Sequence, residues 1–135
     1  MLWPVDEAMA RLLDYDRRRY WLENGWSLRF RVRTVGITAA RPHGLRYAFT
    51  LHDVDGTRLL GFDNAHGIAR HLPYDHRHRF RRPREIVPYA FQDADTLICD
   101  FFDAIEQACR REAVPFAFVE ADLATEHDDD PDQPA

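Results

Sequence analysis

The stretch that decides the fold is residues 20–34, YWLENGWSLRFRVRT. Its Asn24-Gly25 pair lies between two runs rich in aromatic and β-branched residues, a pattern typical of a two-residue β-hairpin turn. After the turn, apolar side chains alternate with arginines, so one face of the strand is predicted to meet the core and the other to carry guanidinium groups. The apolar set is Leu28, Phe30 and Val32, and the arginine set is Arg29, Arg31 and Arg33.

A second hairpin is predicted for residues 45–65. The runs LRYAFTLHD and TRLLGFDNA are separated by Val54-Asp55-Gly56, which is a turn signal. The first run alternates between an apolar set and a mixed set, which are Leu45, Tyr47, Phe49 and Leu51, and Arg46, Ala48, Thr50 and His52. Three or four antiparallel strands are therefore expected to share one apolar face.

Two helices are predicted. Residues 93–112 carry apolar side chains at helical spacing, with acids in the first turn and arginines in the last, which complements the helix dipole. Residues 5–18 are expected to form a shorter helix, because Ala8, Leu12 and Tyr15 recur at the same spacing. The longer helix should cover the apolar face of the sheet.

The remaining segments complete an α+β domain at residues 1–119. Residues 66–88 are dense in His, Arg and Pro and are interpreted as a functional loop or a ragged edge strand. Residues 114–119 add one more candidate strand, and residues 120–135 form an acidic tail predicted to be disordered. The expected architecture is an antiparallel sheet of about four or five strands backed by the helix at residues 93–112.

The charge is distributed unevenly along the 135 residues. The whole chain carries −5 and residues 120–135 carry −7, so residues 1–119 carry +2. All 18 basic residues are arginines, whose planar guanidinium groups suit phosphate contacts, although a genome that favours arginine codons is an alternative explanation. No run approaches the ~18 apolar residues of a membrane span. The first residues lack the basic start of an export signal, so we expect a cytoplasmic protein.

Two short motifs carry the most specific signal. The first is Asp63-Asn64-Ala65-His66, and the second is Asp75-His76-Arg77-His78-Arg79. In this order, on a β-rich body followed by a helix with Asp100-Phe101-Phe102, they resemble the TumE toxins of bacterial TumE–TumA toxin–antitoxin pairs. The resemblance covers roughly residues 25–110. It implies a toxin that acts on RNA or another part of translation, with a small DNA-binding antitoxin as its partner, and it leaves a homodimer open.

The residues are also compatible with a ribonuclease that needs no metal or other cofactor. Such an enzyme requires one group to take the ribose 2′-hydroxyl proton, another to protonate the leaving 5′-oxygen, and cations for the phosphorane charge. We predict His66 and His78 as the acid and base, because imidazole titrates near neutral pH. The further candidates are Arg77, Arg79 and Tyr47 in catalysis, and Arg46, Asp63, Asn64, His76, Arg29, Arg31 and Arg33 in substrate binding.

Three alternatives stay open. His76 and His78 face the same side of an extended strand and could chelate a metal ion, with Asp63 or His66 completing the ligand set of a metal-dependent hydrolase. The arginine- and histidine-rich surface could instead dock a protein or nucleic acid without catalysis. The motif residues could also be structural, with Asp63 and Asn64 closing a turn.

Overall fold

The computed structural model describes residues 7–65 and 74–120. The described residues form an α+β fold with seven strands and two helices. In chain order the elements are α1 (Glu7–Asp14), β1 (Arg19–Leu22), β2 (Ser27–Thr34), β3 (Leu45–His52), β4 (Arg58–Asp63), β5 (His76–Arg79), β6 (Arg82–Pro88), α2 (Ala94–Arg111) and β7 (Phe118–Glu120). Neither helix is long and apolar enough to cross a membrane.

All seven strands form one antiparallel sheet in the order β6-β5-β4-β3-β2-β1-β7. From β1 to β6 each strand pairs with the next in sequence. After β6 the chain passes through α2 and returns as β7 beside β1. The acidic tail predicted for residues 120–135 begins at Glu120, the last residue of β7, and its other residues lie outside the described part of the chain.

The predicted strand count of four or five is wrong, because the β5–β6 hairpin was expected to be a loop or a ragged edge. These strands contain His, Arg and Pro, which do not alternate with apolar residues as in a half-buried strand. The turn between them is Phe80-Arg81, and Arg81 adopts a φ of 59° without being Gly, Asn or Asp. The sequence therefore lacks the residues by which a hairpin turn is recognised.

The two predicted hairpins are present, although the first loop is longer than expected. The amide of Leu22 donates to the carbonyl of Trp26, which leaves a three-residue loop at residues 23–25 instead of a two-residue turn. Gly25 closes this loop with a φ of 92°, in the left-handed region that glycine tolerates best. The loop of the second hairpin is Val54-Asp55-Gly56 as predicted.

The helix α1 ends four residues earlier than predicted. After Asp14 the chain turns, and the amide of Arg17 already donates to the carbonyl of Phe30 in β2. Those residues are thus committed to the sheet and cannot continue the helix. The side chain of Leu12 is buried, and Tyr15 contacts the ring of Phe30.

The helix α2 matches its prediction and covers one face of the sheet. Its N-cap is Asp93, whose carboxylate accepts a hydrogen bond from the amide of Thr96 at 2.7 Å. The fully buried ring of Phe101 lies against Phe30, Phe49 and Phe62 of three neighbouring strands, with centroid distances of 5.4, 5.7 and 5.9 Å. Both helices pack on this face, so alternate strand residues point to the opposite face.

Candidate functional site

The face of the sheet opposite the helices, which we call the open face, is rich in arginine. Because Phe30 and Val32 of β2 point to the core, the alternate arginines of that strand belong to the open face, as predicted. Strands β1, β3 and β4 add further arginines to this face. That they lie on the same face as the β2 arginines was not predicted from the sequence. The full set is Arg19, Arg29, Arg31, Arg33, Arg46 and Arg58.

Two pairs of these arginines lie directly opposite each other on adjacent strands. Arg19 is paired with Arg29, and Arg33 is paired with Arg46. Like charges in directly opposed positions destabilise a sheet unless other groups compensate them, so these pairs concentrate positive charge on the open face.

A cluster of Asp63, His76 and His78 lies on the same face. Asp63 at the end of β4 is the direct partner of His76 on β5, and His78 follows two residues later on the same side. The Asp63 Oδ1 atom is 3.1 Å from His76 Nε2, and Asp63 Oδ2 is 3.3 Å from His78 Nε2. All three side chains are buried. We call these residues the histidine–aspartate cluster.

Backbone carbonyls fix the orientation of both imidazoles. His76 Nδ1 lies 2.7 Å from the carbonyl oxygen of Tyr74, and His78 Nδ1 lies 2.7 Å from that of Pro83. A carbonyl oxygen only accepts hydrogen bonds, so Nδ1 carries the hydrogen in both rings. The Nε2 atoms therefore face the carboxylate of Asp63, and every ring nitrogen of the cluster has a protein partner.

The cluster perturbs its own ionisation. Burial by itself raises the pKa of the Asp63 carboxyl, but the hydrogen bonds and positive charges of the two histidines bring that pKa well below its ordinary value. Burial lowers the pKa of His76, but the hydrogen bond and charge of Asp63 outweigh burial and raise the pKa above 6.5. Arg58 Nη1 lies 3.9 Å from Asp63 Oδ2 and adds a further cation. The carboxylate is thus held in its ionised form.

His52 is a third buried histidine of the open face. Its Nδ1 donates to the carbonyl of Gly56 at 3.0 Å, and its Nε2 lies 2.8 Å from the hydroxyl of Thr50. Burial, followed by the charges of nearby arginines including Arg29 and Arg58, lowers the pKa of His52 from 6.5 to about 4. His52 is therefore neutral in the folded protein at neutral pH.

Acidification from about pH 7 to about pH 4 should destabilise the protein through His52. The unfolded chain takes up the proton near pH 6.5, whereas the folded chain takes it up only near pH 4. Stability is lost as the pH falls through this interval, by about 3 kcal/mol for the whole shift. Because His52→Asn does not titrate, the difference in unfolding free energy between wild type and this variant should shrink on acidification. A difference that stays constant in denaturant titrations across the interval would contradict the assignment.

Several predicted site residues lie away from the histidine–aspartate cluster. Tyr47 is fully buried on the helix side of β3, where its hydroxyl donates to Asp75 Oδ2 at 2.7 Å. Arg77 and Arg79 flank His78, and all three residues line a groove of about 320 Å³ between β5 and α2. His66 lies outside the described residues. The structure therefore places Tyr47 and Arg77 on the helix side of the sheet, away from the face that carries the histidine–aspartate cluster.

Asn64 has a structural environment. Its side chain is fully buried, with Oδ1 accepting from the amide of Tyr47 at 2.9 Å and Nδ2 donating to the carbonyl of Leu45 at 2.7 Å. The amide group thus continues the hydrogen bonding of β3 beyond the end of β4. Both polar atoms of this fully buried side chain are thus bound to backbone groups of β3.

The sequence analysis missed a second polar cluster, on the helix side of the sheet. There, His43 Nε2 lies 2.8 Å from Asp75 Oδ2, and the Leu45 amide donates to His43 Nδ1 at 3.2 Å. Since Nδ1 is an acceptor, Nε2 carries the hydrogen and donates it to Asp75. Because Asp75 directly precedes His76, strand alternation predicts that Asp75 faces the helix side. Nothing in the sequence, however, predicts its contact with His43.

Together the fold and the site define an α+β protein in which one sheet face combines arginines with a buried histidine–aspartate cluster. The family model of toxin TumE matches residues 15–109, and the chain therefore belongs to this toxin family. The match spans β1–β6 and includes the cluster. No curated protein and no solved structure matches the chain. Membership in the family supports a toxin function, and in general it implies an antitoxin partner.

Proposed function

We propose that this toxin acts on RNA in the cytoplasm, binding it across the open face and cleaving it at the histidine–aspartate cluster. The observation that carries the proposal is the presence of opposed arginine pairs on the same face as the cluster. Guanidinium groups bind phosphate oxygens and supply much of the affinity of nucleic-acid-binding surfaces. A small DNA-binding antitoxin is the partner we expect to neutralise the toxin.

The histidine–aspartate cluster and the arginines around it suit a reaction at phosphorus. A negatively charged phosphorane is stabilised by cations that are already in position when the reaction begins. Arg58, beside Asp63, and the arginines of β2 and β3 supply such charges within one sheet face. His78 remains our candidate for the histidine that takes part in the reaction; its Nδ1 is bound to the carbonyl of Pro83, and its Nε2 lies 3.3 Å from Asp63 Oδ2 on the open face.

Induced expression in a bacterial host tests the proposal most directly. The wild type should arrest growth and fragment cellular RNA, whereas His78→Ala should do neither at an equal yield of folded protein. The matched control is His43→Gln. The side chain of His43 is 10% exposed and also contacts an aspartate, but this aspartate is Asp75, on the other face of the sheet. This control should remain toxic. Normal growth and intact RNA at high wild-type yield would contradict the proposal, as would growth arrest with intact RNA.

Binding to RNA should depend on the open face. Arg33 is exposed on β2, and its replacement in Arg33→Gln should lower the slope of log affinity against log salt concentration by about 1. Arg110→Gln removes the same charge from the exposed side of α2 and should leave that slope unchanged. If the wild type binds RNA with this salt dependence but does not cleave it, the result would instead favour a non-catalytic RNA-binding module.

A further inference from the structure

We propose that the histidine–aspartate cluster is a binding site for one divalent transition-metal ion. The ligands are Nε2 of His76, Nε2 of His78 and a carboxylate oxygen of Asp63. The inference deepens the proposed function and rests on it for the reaction that the ion assists, but the binding of the ion can be measured without RNA.

The separations between the ligand atoms fit a metal site. Zinc–nitrogen and zinc–oxygen bonds of ~2.0–2.1 Å in a tetrahedral arrangement place neighbouring ligand atoms about 3.3 Å apart. Asp63 Oδ1 lies 3.1 Å from His76 Nε2, and the other oxygen of the same carboxylate, Oδ2, lies 3.3 Å from His78 Nε2. The three potential ligand atoms all lie within 4.8 Å of one another. Because the three side chains converge from adjacent strands, small side-chain rotations would bring one ion within bonding distance of all three.

The contacts of the Nδ1 atoms also point to a metal site. A histidine that binds a metal through one nitrogen almost always donates its other N–H to a carboxylate, a backbone carbonyl or water, which fixes the tautomer and the ring orientation. His76 and His78 both have this arrangement, with carbonyl oxygens of Tyr74 and Pro83 at 2.7 Å. In the neutral tautomer, both Nε2 lone pairs are then directed at the position between the rings and Asp63.

The other histidine–aspartate contact in the described chain shows the opposite pattern. At His43 the Leu45 amide donates to Nδ1, so Nε2 carries the hydrogen and donates it to Asp75. In the cluster, by contrast, the Nδ1 hydrogen is already bound to a carbonyl, so the contact between Nε2 and Asp63 requires either a second proton on the ring or a cation in its place. A divalent cation satisfies all three ligand atoms at once.

The chemistry of the ligand set narrows the class of metal. Two imidazoles and one carboxylate suit zinc, iron or manganese ions better than calcium or magnesium, which prefer oxygen ligands. Three protein ligands leave further coordination positions for water or substrate, as in catalytic zinc sites. An ion there would polarise a phosphoryl oxygen of RNA bound across the open face.

Calorimetric titration with Zn²⁺ tests the site on the full chain after treatment with a chelator. We expect one ion per chain, and an affinity at least ~100-fold lower in His78→Ala and in Asp63→Asn. The His43→Gln control should bind Zn²⁺ as tightly as the wild type. The ion should also raise the thermal unfolding midpoint of the wild type and of His43→Gln, but not that of His78→Ala or Asp63→Asn.

Binding of less than one ion, or equal affinity in Asp63→Asn and the wild type, would overturn the inference. Asp63→Asn preserves the shape of the side chain, so it serves if His78→Ala does not fold. The outcome also separates this inference from the proposed function. Tight Zn²⁺ binding without RNA cleavage supports the metal site and contradicts the RNA proposal, whereas chelator-resistant cleavage by a chain that binds no Zn²⁺ does the reverse.

Discussion

Replacement of Phe101 by alanine should lower the free energy of unfolding by about 3–5 kcal/mol, a large part of the stability of a small domain. The ring is fully buried and contacts aromatic rings of β2, β3 and β4, so its removal leaves a cavity bordered by three strands and α2. The strands cannot close that space without losing their hydrogen-bonded register. Denaturant titration followed by circular dichroism measures the loss.

Phe116→Ala is the matched control for this prediction. The same atoms are removed, but Phe116 is 40% exposed and lies next to Phe118 near the end of the described chain. We expect a loss well below that of Phe101→Ala, because little apolar surface returns to water. Similar losses for the two variants would show that α2 does not anchor the sheet through Phe101.

Asn64→Ala should cost about 2–6 kcal/mol of unfolding free energy. The substitution leaves the amide of Tyr47 and the carbonyl of Leu45 without their side-chain partner in a buried position, at about 1–3 kcal/mol for each group. Thermal or denaturant unfolding measures the effect. In the control Asn24→Ala, an exposed side chain in the first hairpin loop loses one bond, to the amide of Trp26, and the effect should be smaller.

The result for Asn64 also decides between two interpretations of the Asp63-Asn64 motif. If Asn64→Ala lowers stability and the remaining folded protein is still toxic, the residue is structural. Full stability with loss of toxicity would instead show that Asn64 contacts the substrate, as the sequence-based hypothesis states. The buried hydrogen bonds favour the first outcome.

The sequence predicted the parts of the fold that have local signals. The glycine-containing loops ending at Gly25 and Gly56 marked two hairpins, and the apolar spacing of residues 93–112 marked α2. The hairpin between β5 and β6 escaped prediction, because Arg81 adopts a left-handed backbone without being a typical turn residue. The pairing of β7 with β1 depends on contacts between distant parts of the chain, which a local pattern does not report.

The site was predictable only as far as strand alternation reaches. Alternation puts His76 and His78 on one side of β5, and the structure shows them there with Asp63 of the neighbouring strand. The same rule puts Arg77 on the other side of β5, and it puts Tyr47 on the face of β3 that Arg46 does not share. The sequence-based hypothesis instead grouped these residues by their chemistry. The carbonyl partners of the two histidines could not be predicted, because they depend on the path of the backbone at Tyr74 and Pro83.

Strand β6 is an edge strand of the sheet, so its sequence affects whether two copies of this protein can pair through their sheets. An edge strand with free backbone groups can pair with the edge of another molecule and start aggregation. The edge strand β6 contains Pro83 and Pro88, which have no amide hydrogen to donate, and Arg82 and Arg84, which repel a second copy of the same edge. At the opposite margin, β7 has only three residues. Sheet-to-sheet polymerisation is therefore disfavoured at both ends, even when the toxin is produced in excess.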